Sequence, residues 1–236
     1  MIKIAYIFTA TGRYSRFVDD LVISGTTKFF PGEKTQFITF TDDTSFINKY
    51  KNLTVIQQNK LGWPFDTLMR FHLICNMSDM LSEFDYIFYG NANMVFNDVI
   101  GNEILPDVDG MVATIHPMQR NLPKVNRTYE RNPNSLAYVK FGEEGDNYYQ
   151  GCFFGGTAKK FLEVSSILRD RIQIDADNGI IPIWWDESHM NKYFIENKPK
   201  ELHSGYAYPE KYHLDVEKKI IQLDKSGYGG HDYLRV

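Results

Sequence analysis

The feature of this sequence that most constrains the fold is the alternation of short apolar runs with helical patterns in the first half of the chain. The runs are rich in β-branched and aromatic residues, which is typical of buried strands, and they span residues 2–8, 35–40, 53–56, 86–89, 110–114 and 148–154. Apolar residues at helical spacing predict helices over residues 14–28, 65–81 and 158–170. Alternating strands and helices predict an α/β architecture with a largely parallel sheet in the first half.

The loops that follow the predicted strands are where we expect chemistry. In an open α/β sheet, ligands bind in the crevice beyond the carboxyl ends of the strands, at a point where the strand order reverses. The candidate loops are residues 9–14, 41–43, 90–94, 116–117 and 155–156.

Charge and composition argue against several classes of protein. The formal net charge is −4 and the cations are scattered, so we expect no nucleic-acid partner. Two cysteines, Cys75 and Cys152, are too few for a disulfide framework or a zinc site. The apolar run of eight residues from Met1 is too short for a transmembrane helix and lacks the features of a signal peptide. We therefore expect a cytoplasmic protein without membrane insertion, while the oligomeric state stays open.

The first candidate site is the pair Asn91 and Asn93, which directly follows a predicted strand. In an extended chain, residues i and i+2 point the same way, so the two amides would face one ligand. The alternative is an ordinary strand-end turn, because Asn is a common turn residue. The spacing alone favours the turn.

The second candidate is the sequence Trp184-Trp185-Asp186-Glu187. An aromatic face can pack on a sugar ring while a neighbouring carboxylate binds hydroxyls or stabilises developing positive charge. The alternative is a helix start, with acidic residues favourably placed in its first turn. If both acids are helical, they point about 100° apart and have different tasks.

Three further segments carry weaker indications. Small residues within the aromatic run 148–156 indicate that a ligand or another strand approaches the backbone closely. Arg70 lies among apolar helix positions, where a buried arginine would need an anionic partner and an exposed one would extend to solvent. Residues 225–231 are basic and rich in glycine, as expected of a flap over a phosphate or of a frayed terminus.

Four longer motifs carry a resemblance to a known family. They are Tyr129-Glu130-Arg131-Asn132-Pro133, Glu144-Gly145-Asp146-Asn147-Tyr148-Tyr149, Phe153-Phe154-Gly155-Gly156 and Trp185-Asp186-Glu187-Ser188-His189-Met190-Asn191-Lys192-Tyr193. With them the chain resembles glycosyltransferase family 6, the retaining α-1,3-galactosyl and N-acetylgalactosaminyl transferases that include the blood-group A and B enzymes.

The resemblance covers nearly the whole chain and implies a GT-A fold. We therefore expect a single α/β domain over residues 1–236, with a Rossmann-like mixed sheet flanked by helices. Its N-terminal part would bind the nucleotide and its C-terminal part the acceptor. Animal members carry a cytoplasmic tail, a membrane anchor and a stem before this domain, so the chain looks like a compact bacterial-type homologue.

The resemblance also implies roles for individual residues. Glu187 matches the central catalytic carboxylate, which either stabilises an oxocarbenium-like transition state or attacks the anomeric carbon. The positions implied to bind the donor are Thr9, Tyr14, Arg70, Asn91, Asn93, Gln150, Cys152, Asp186, Lys225 and Arg235. The positions implied to bind the acceptor are His116, Thr128, Trp184 and Glu210.

Within the donor set, Thr9 and Tyr14 stand where the family holds uridine, although Thr9 replaces an aromatic residue. Asp186 matches a residue that binds donor-sugar hydroxyls. Gln150 and Cys152 stand where the family distinguishes galactose from N-acetylgalactosamine.

The chain departs from the family at Asn91-Ala92-Asn93, where animal members have the Asp-x-Asp motif that binds manganese and the UDP diphosphate. Neutral amide oxygens are weak ligands for a hard cation. Without a metal, an aspartate about 4 Å from a phosphate would be repelled by roughly 4 kcal/mol at an effective dielectric of about 20. We therefore expect no metal and no cofactor, with Arg70 and Lys225, helped by Arg235, offsetting the leaving-group charge.

Taken together, the residues and the resemblance predict a retaining, metal-independent α-1,3-glycosyltransferase. It would move N-acetylgalactosamine, or else galactose, from a UDP-sugar to an oligosaccharide acceptor, a β-galactoside that carries fucose. Two alternatives stay open: a metal-stimulated α-1,3-galactosyltransferase whose ion is held by UDP, and a glycan-binding homologue that has lost turnover.

Overall fold

The structure is a computed structural model that describes residues 1–106, 108 and 110–236. Its strands are β1 (Lys3–Thr9), β2 (Lys34–Thr41), β3 (Leu53–Gln57), β4 (Tyr86–Gly90), β5 (Met94–Phe96), β6 (Met111–Ile115), β7 (Tyr149–Thr157), β8 (Lys200–Leu202), β9 (Tyr208–Pro209) and β10 (Ile220–Gln222). Its α-helices are α1 (Val18–Lys28), α2 (Phe65–Leu68), α3 (Arg70–Asn76), α4 (Ser78–Leu81), α5 (Ala158–Asp177), α6 (Trp185–Glu196) and α7 (Gly230–Arg235).

Seven of these strands form one mixed sheet in the order β3-β2-β1-β4-β7-β6-β8. The first four run parallel, β7 is antiparallel to its neighbours β4 and β6, and β8 is parallel to β6. The predicted α/β class with a mixed sheet is confirmed, and each predicted strand is present. Because β2 lies on one side of β1 and β4 on the other, the strand order reverses there and a crevice opens beyond Thr9 and Gly90.

Both faces of the sheet are covered, which explains why β1 is apolar along most of its length. Successive residues of a strand point to opposite faces. Tyr6 and Phe8 belong to the core on the side of α1, whereas Ala5 and Ile7 belong to the core on the side of α3, α5 and α6. All four side chains are fully buried. The central strand is therefore held from both sides.

A second, smaller sheet lies outside the predicted pattern. It has the order β5-β10-β9, with β10 antiparallel to β5 and parallel to β9. Strands of two or three residues are too short to show a period-two pattern, so the sequence carried no indication of them. The pairing of Gln222 with Met94 brings the C-terminal segment beside the turn that follows β4.

The helices differ from the prediction in their continuity. The pattern over residues 65–81 forms three short helices, because the backbone unwinds at Met69 and Met77, where ψ is 10° and 15°. The apolar spacing does not record this, since the buried face continues across each break. The predicted helix over residues 14–28 begins with a 3₁₀ segment, Gly12–Phe17, and the helix predicted over residues 158–170 extends to Asp177. None of the helices in the described residues is both long and apolar enough to cross a membrane.

The glycines of β7 are required by neighbouring protein atoms. A Cβ at Gly155 would lie 2.3 Å from Phe88 Cδ1 and 2.6 Å from the Ile87 carbonyl oxygen, both on β4. A Cβ at Gly156 would lie 2.6 Å from the carbonyl oxygen of Gly110. Of the two approaches predicted for this strand, a ligand or another strand, the second applies at these positions.

We expect Gly155→Ala to lower the free energy of unfolding by about 2 kcal/mol or more, because overpacking displaces a neighbouring side chain and a strand backbone. The matched control is Gly227→Ala, since a Cβ there meets nothing within 4 Å. Urea unfolding of both variants is the measurement. Equal stability of the two variants would contradict the packing argument.

Candidate active site

A cavity of about 570 Å³ opens where the strand order reverses. It is bordered by the carboxyl ends of β1 and β4, the loop after β6, the starts of β7 and α6, and the C-terminal segment. Every predicted site residue except Glu210 lines it: Glu187, Thr9, Tyr14, Arg70, Asn91, Asn93, Gln150, Cys152, Asp186, Lys225, Arg235, His116, Thr128 and Trp184. The fold thus gathers residues that are scattered through the sequence.

Glu187 lies in the first turn of α6 and reaches the start of β7. Its Oε2 accepts a hydrogen bond of 2.7 Å from the Gly151 N–H. Burial raises the pKa of this carboxyl to about 7, the Gly151 N–H opposes that rise, and the neighbouring Asp186 adds to it. The group therefore changes charge near neutral pH, and its orientation is set by a backbone donor.

Asp186 and Arg70 form a buried ion pair beside Glu187. The side chains are 1% and 5% exposed, and Arg70 Nε lies 2.8 Å from Asp186 Oδ2. Arg70 Nη1 donates a 2.5 Å hydrogen bond to the Gly151 carbonyl oxygen, and the guanidinium lies 4.5 Å from the centre of the Tyr89 ring. The buried arginine thus has the anionic partner that the sequence analysis required.

Burial nevertheless dominates the titration of Asp186. It raises the pKa of the carboxyl to about 6, although the Arg70 charge acts in the opposite direction. Neither carboxylate oxygen accepts a well-aligned hydrogen bond from the residues described. Asp186 faces Arg70 while Glu187 faces β7, so the predicted difference in direction of the two acids is confirmed.

The backbone at the start of α6 is unusual. Trp185 has φ of +51°, a left-handed conformation that is rare for a bulky residue and costs about 1–3 kcal/mol. Its ring packs edge-on against Trp63, with centroids 4.2 Å apart, and against Trp184 at 5.7 Å. Such strain concentrates at functional sites, and here it immediately precedes the two acids.

Two motif residues without a predicted role hold α6 in place. Asn191 accepts a 2.8 Å hydrogen bond from the Tyr149 N–H and donates to the carbonyl oxygens of Tyr149 and Glu187 at 2.8 and 3.0 Å. Glu130 accepts a 2.7 Å hydrogen bond from the Ile183 N–H, just before the tryptophans. Their types alone do not reveal the partners Tyr149 and Ile183, because those bonds span 42 and 53 residues.

One wall of the cavity is cationic. Lys225 and Arg235 both line it, and neither has a carboxylate partner anywhere in residues 1–106, 108 and 110–236. Burial and the nearby Arg235 lower the pKa of Lys225 to about 8. The Lys225 ammonium lies 5.2 Å from the Tyr14 ring centre, and the Arg235 guanidinium 3.4 Å from the ring centre of Trp63, a residue that carried no sequence pattern. Two unpaired cations in a partly buried wall suit an anionic ligand.

Asn91 and Asn93 both line the cavity, but not as an extended pair. Ala92 and Asn93 form a turn between β4 and β5, as the spacing favoured, and binding of one ligand by both amides stays a prediction. The Asn93 amide donates a 2.8 Å hydrogen bond to the Leu223 carbonyl oxygen, and Asn93 is 2% exposed. Asn91 is bound through its backbone N–H, which donates to the Cys152 carbonyl oxygen at 3.0 Å.

The remaining donor-side residues have distinct surroundings. The Gln150 amide donates to Gln222 Oε1 at 3.2 Å, which leaves the buried Gln150 Oε1 without a partner in the described part of the chain. Burial raises the pKa of the Cys152 thiol, which keeps it neutral. Thr9 Oγ1 accepts a weak 3.4 Å hydrogen bond from the Tyr89 hydroxyl.

The loop after β6 supplies two of the residues predicted for the acceptor, His116 and Thr128. Burial lowers the pKa of His116 to about 4, so its imidazole is neutral, and its Nδ1 accepts from the Met118 N–H at 3.1 Å. Gln119, which had no predicted role, holds Thr128 by donating to Oγ1 at 2.7 Å and accepting from its N–H at 2.9 Å. Trp184 is 38% exposed at the cavity.

Glu210 is the predicted residue that the cavity does not include. It is exposed, and its Oε2 accepts a 2.7 Å hydrogen bond from the Asp224 N–H, next to Lys225. Its position supports the C-terminal segment. A role in acceptor binding stays a prediction.

Comparison with known proteins gives consistent matches. Residues 2–227 match the family model described as glycosyltransferase family 6. The O-antigen biosynthesis glycosyltransferase WbnI of Escherichia coli is 36% identical over 233 residues, covering 97% of this chain and 98% of that protein. Globoside alpha-1,3-N-acetylgalactosaminyltransferase 1 of Gallus gallus is 36% identical over 82% of this chain and 57% of its own length. Histo-blood group ABO system transferase 1 of Rattus norvegicus is 33% identical over 78% and 54%. The chain spans about half the length of the latter two.

The raised pKa of Glu187 has a consequence for stability. Because the folded-state pKa of about 7 lies above the ordinary 4.5, the folded state disfavours the charged form, and the cost grows as pH rises from about 4.5 to 7. We expect Glu187→Gln to stabilise the fold by up to about 3 kcal/mol at pH 8 and by little at pH 4.5. Urea unfolding at both pH values is the measurement, and a variant no more stable than the wild type at pH 8 would contradict it.

Proposed function

The chain belongs to glycosyltransferase family 6 and is a hexosyltransferase, and from this premise we propose that it transfers N-acetylgalactosamine or galactose from a UDP-sugar to a β-galactoside. The proposed product is an α-1,3 linkage formed with retention. The observation that carries the proposal is that one cavity holds a carboxylate oriented by Gly151 together with two cations that lack an acidic partner.

The cations are matched to a diphosphate leaving group. Departure of UDP leaves negative charge on phosphate oxygens, and fixed positive groups in a partly buried site stabilise that charge without reorganising. Lys225 and Arg235 are available for this task. Arg70 differs from them, because its charge is already balanced by Asp186, so we assign it to holding the acids in place.

The residues at the Asn91-Ala92-Asn93 turn do not fit a bound manganese ion. They offer only neutral amide oxygens, which are weak ligands for a hard cation. Of the carboxylates that line the cavity, Asp186 is paired with Arg70, Glu187 accepts from Gly151, and Asp66 accepts from the Leu61 N–H. No group of three or more His, Cys, Asp or Glu in the described residues is arranged to hold a metal. We therefore propose catalysis without a metal.

Glu187 is proposed to act on the anomeric carbon in its charged form. Two routes give retention: the carboxylate stabilises an oxocarbenium-like transition state while the acceptor enters on the leaving-group side, or it attacks the carbon and is displaced in a second step. Both routes need an ionised acid. A pKa of about 7 keeps a large part of the population charged at neutral pH and above.

The sugar and the acceptor are proposed to lie on either side of this acid. Asp186 Oδ2 is paired with Arg70, which leaves Oδ1 to accept from donor-sugar hydroxyls, and the unpartnered Gln150 Oε1 can accept from an amide N–H or a hydroxyl. Trp184 offers an exposed aromatic face for the acceptor ring beside His116 and Thr128. The relatives include a globoside alpha-1,3-N-acetylgalactosaminyltransferase and a histo-blood group ABO system transferase, and these names support an α-1,3 linkage and a glycan acceptor.

We expect Glu187→Gln to lower turnover at least tenfold, which corresponds to about 1.4 kcal/mol in the barrier, because the shape is kept and the charge is lost. The measurement is UDP release with UDP-GalNAc or UDP-Gal and a fucosylated β-galactoside. The control is Glu196→Gln on the exposed side of the same helix. Turnover within tenfold of the wild type would remove Glu187 from its central role.

We expect a panel of donors and acceptors to give the same turnover in excess chelator as without it, because Lys225 and Arg235 take the place of an ion. Loss of activity in chelator, restored by manganese, would favour the metal-stimulated alternative. Binding of the acceptor with no UDP release under any condition would favour a glycan-binding protein without turnover.

A further inference from the structure

Asn93, in the turn after β4, forms two hydrogen bonds with Leu223 in the C-terminal segment, and we call this pair of bonds the clasp. The Asn93 side-chain amide donates to the Leu223 carbonyl oxygen at 2.8 Å, and the Leu223 N–H donates to the Asn93 carbonyl oxygen at 2.9 Å. The clasp continues the antiparallel pairing of β5 with β10, which ends at Met94 and Gln222. It therefore holds the backbone two residues before Lys225.

The Lys225 side chain has no polar contact of its own to place it. Within the described residues its ammonium makes neither a hydrogen bond nor an ion pair, and its neighbour is the Tyr14 ring at 5.2 Å. A long, flexible cation without a partner loses rotamer freedom when it is held in a cavity. Its position is therefore set by the backbone from which it extends.

That backbone is held from two sides. Asn93 fixes Leu223 by the clasp, and Glu210 fixes the Asp224 N–H at 2.7 Å. Asp224 Oδ1 then accepts from the Ser226 N–H at 2.9 Å, which begins the 3₁₀ turn Lys225–Tyr228. Of the two outer anchors, only Asn93 lines the cavity.

We propose that Asn93 is a positioning residue. It contributes to diphosphate binding by holding the segment from which Lys225 reaches the diphosphate. The inference rests on the proposed function and revises the donor-binding role predicted for Asn93. The side-chain N–H₂ is engaged by Leu223, and the residue is almost wholly buried. An aspartate here would set a carboxylate oxygen against the Leu223 carbonyl oxygen and remove the side-chain bond of the clasp, while the backbone bond would remain. The side-chain amide of Asn93 thus serves to hold the segment that carries Lys225.

The test is a double-mutant cycle on UDP affinity, measured calorimetrically in excess chelator. If Asn93 acts through Lys225, Asn93→Ala weakens UDP binding at least tenfold in the wild-type background and less than twofold in the Lys225→Met background. A role in folding alone would not depend on the lysine. If the alanine variant does not fold, as judged by circular dichroism, Asn93→Leu has a similar size, adds no charge and cannot donate, and it is expected to show the same dependence.

Two controls sharpen the cycle. Asn91→Ala, in the same turn, is expected to change UDP affinity by the same factor with and without Lys225. Uridine, which lacks the diphosphate, is expected to bind Asn93→Ala as it binds the wild type. Equal losses for Asn93→Ala in both lysine backgrounds would show direct contact with the ligand and overturn the inference. A wild type that does not bind UDP at all would overturn the proposed function, and this inference with it.

Discussion

The buried pair of Arg70 and Asp186 is the interaction on which the rest of the site depends. It joins the first residue of α3 to the first turn of α6, and the Gly151 peptide adds the start of β7. The carbonyl oxygen of Gly151 accepts from Arg70 and the N–H of the same residue donates to Glu187, so the two acids and the arginine form a single network. Removing two charges from water is costly, and leaving one of them unpaired costs several kcal/mol. The three elements are therefore constrained to meet in one arrangement, which gives Glu187 a defined direction.

The charged groups of the cavity fall into two kinds, those that have a partner within the protein and those that have no acidic partner. Asp186 is balanced within the protein, and Glu187 accepts from a backbone N–H, whereas Lys225 and Arg235 have no acidic partner in the described residues. A site with unbalanced positive charge in a partly buried wall is complementary to a ligand that brings negative charge. Burial disfavours the charged form of both groups, and no strong partner offsets it. The pKa of Glu187 is therefore raised, and that of Lys225 is lowered.

The sheet was predictable from the sequence to a large extent, and the contacts of the site were not. Strands buried on both faces leave apolar runs, and a charged Arg70 among apolar positions demands an acid, so both inferences follow from local composition. The strands of the small sheet are too short to give a periodic hydrophobic pattern in the sequence. The helix breaks at Met69 and Met77 do not disturb the apolar spacing, so the sequence does not reveal them either. The partner of Asn93 lies 130 residues away in the sequence, and a local sequence pattern cannot predict a contact over that separation. Membership of the family located the cavity residues, but the direction in which each one points depends on such remote partners.

The clasp between Asn93 and Leu223 has a consequence for how such sites change in evolution. Its two halves are far apart in the chain, so, under the proposed function, exchanging Lys225 for an ion as the counter-charge would require coordinated substitutions at distant codons. If a carboxylate replaces Asn93 first, the side-chain bond to Leu223 is lost. If Lys225 is lost first, the phosphates lose that counter-charge. Each single step passes through a less fit intermediate. Under the proposed function, this mutual dependence sets an epistatic barrier between a site that uses an ion and one that uses a lysine.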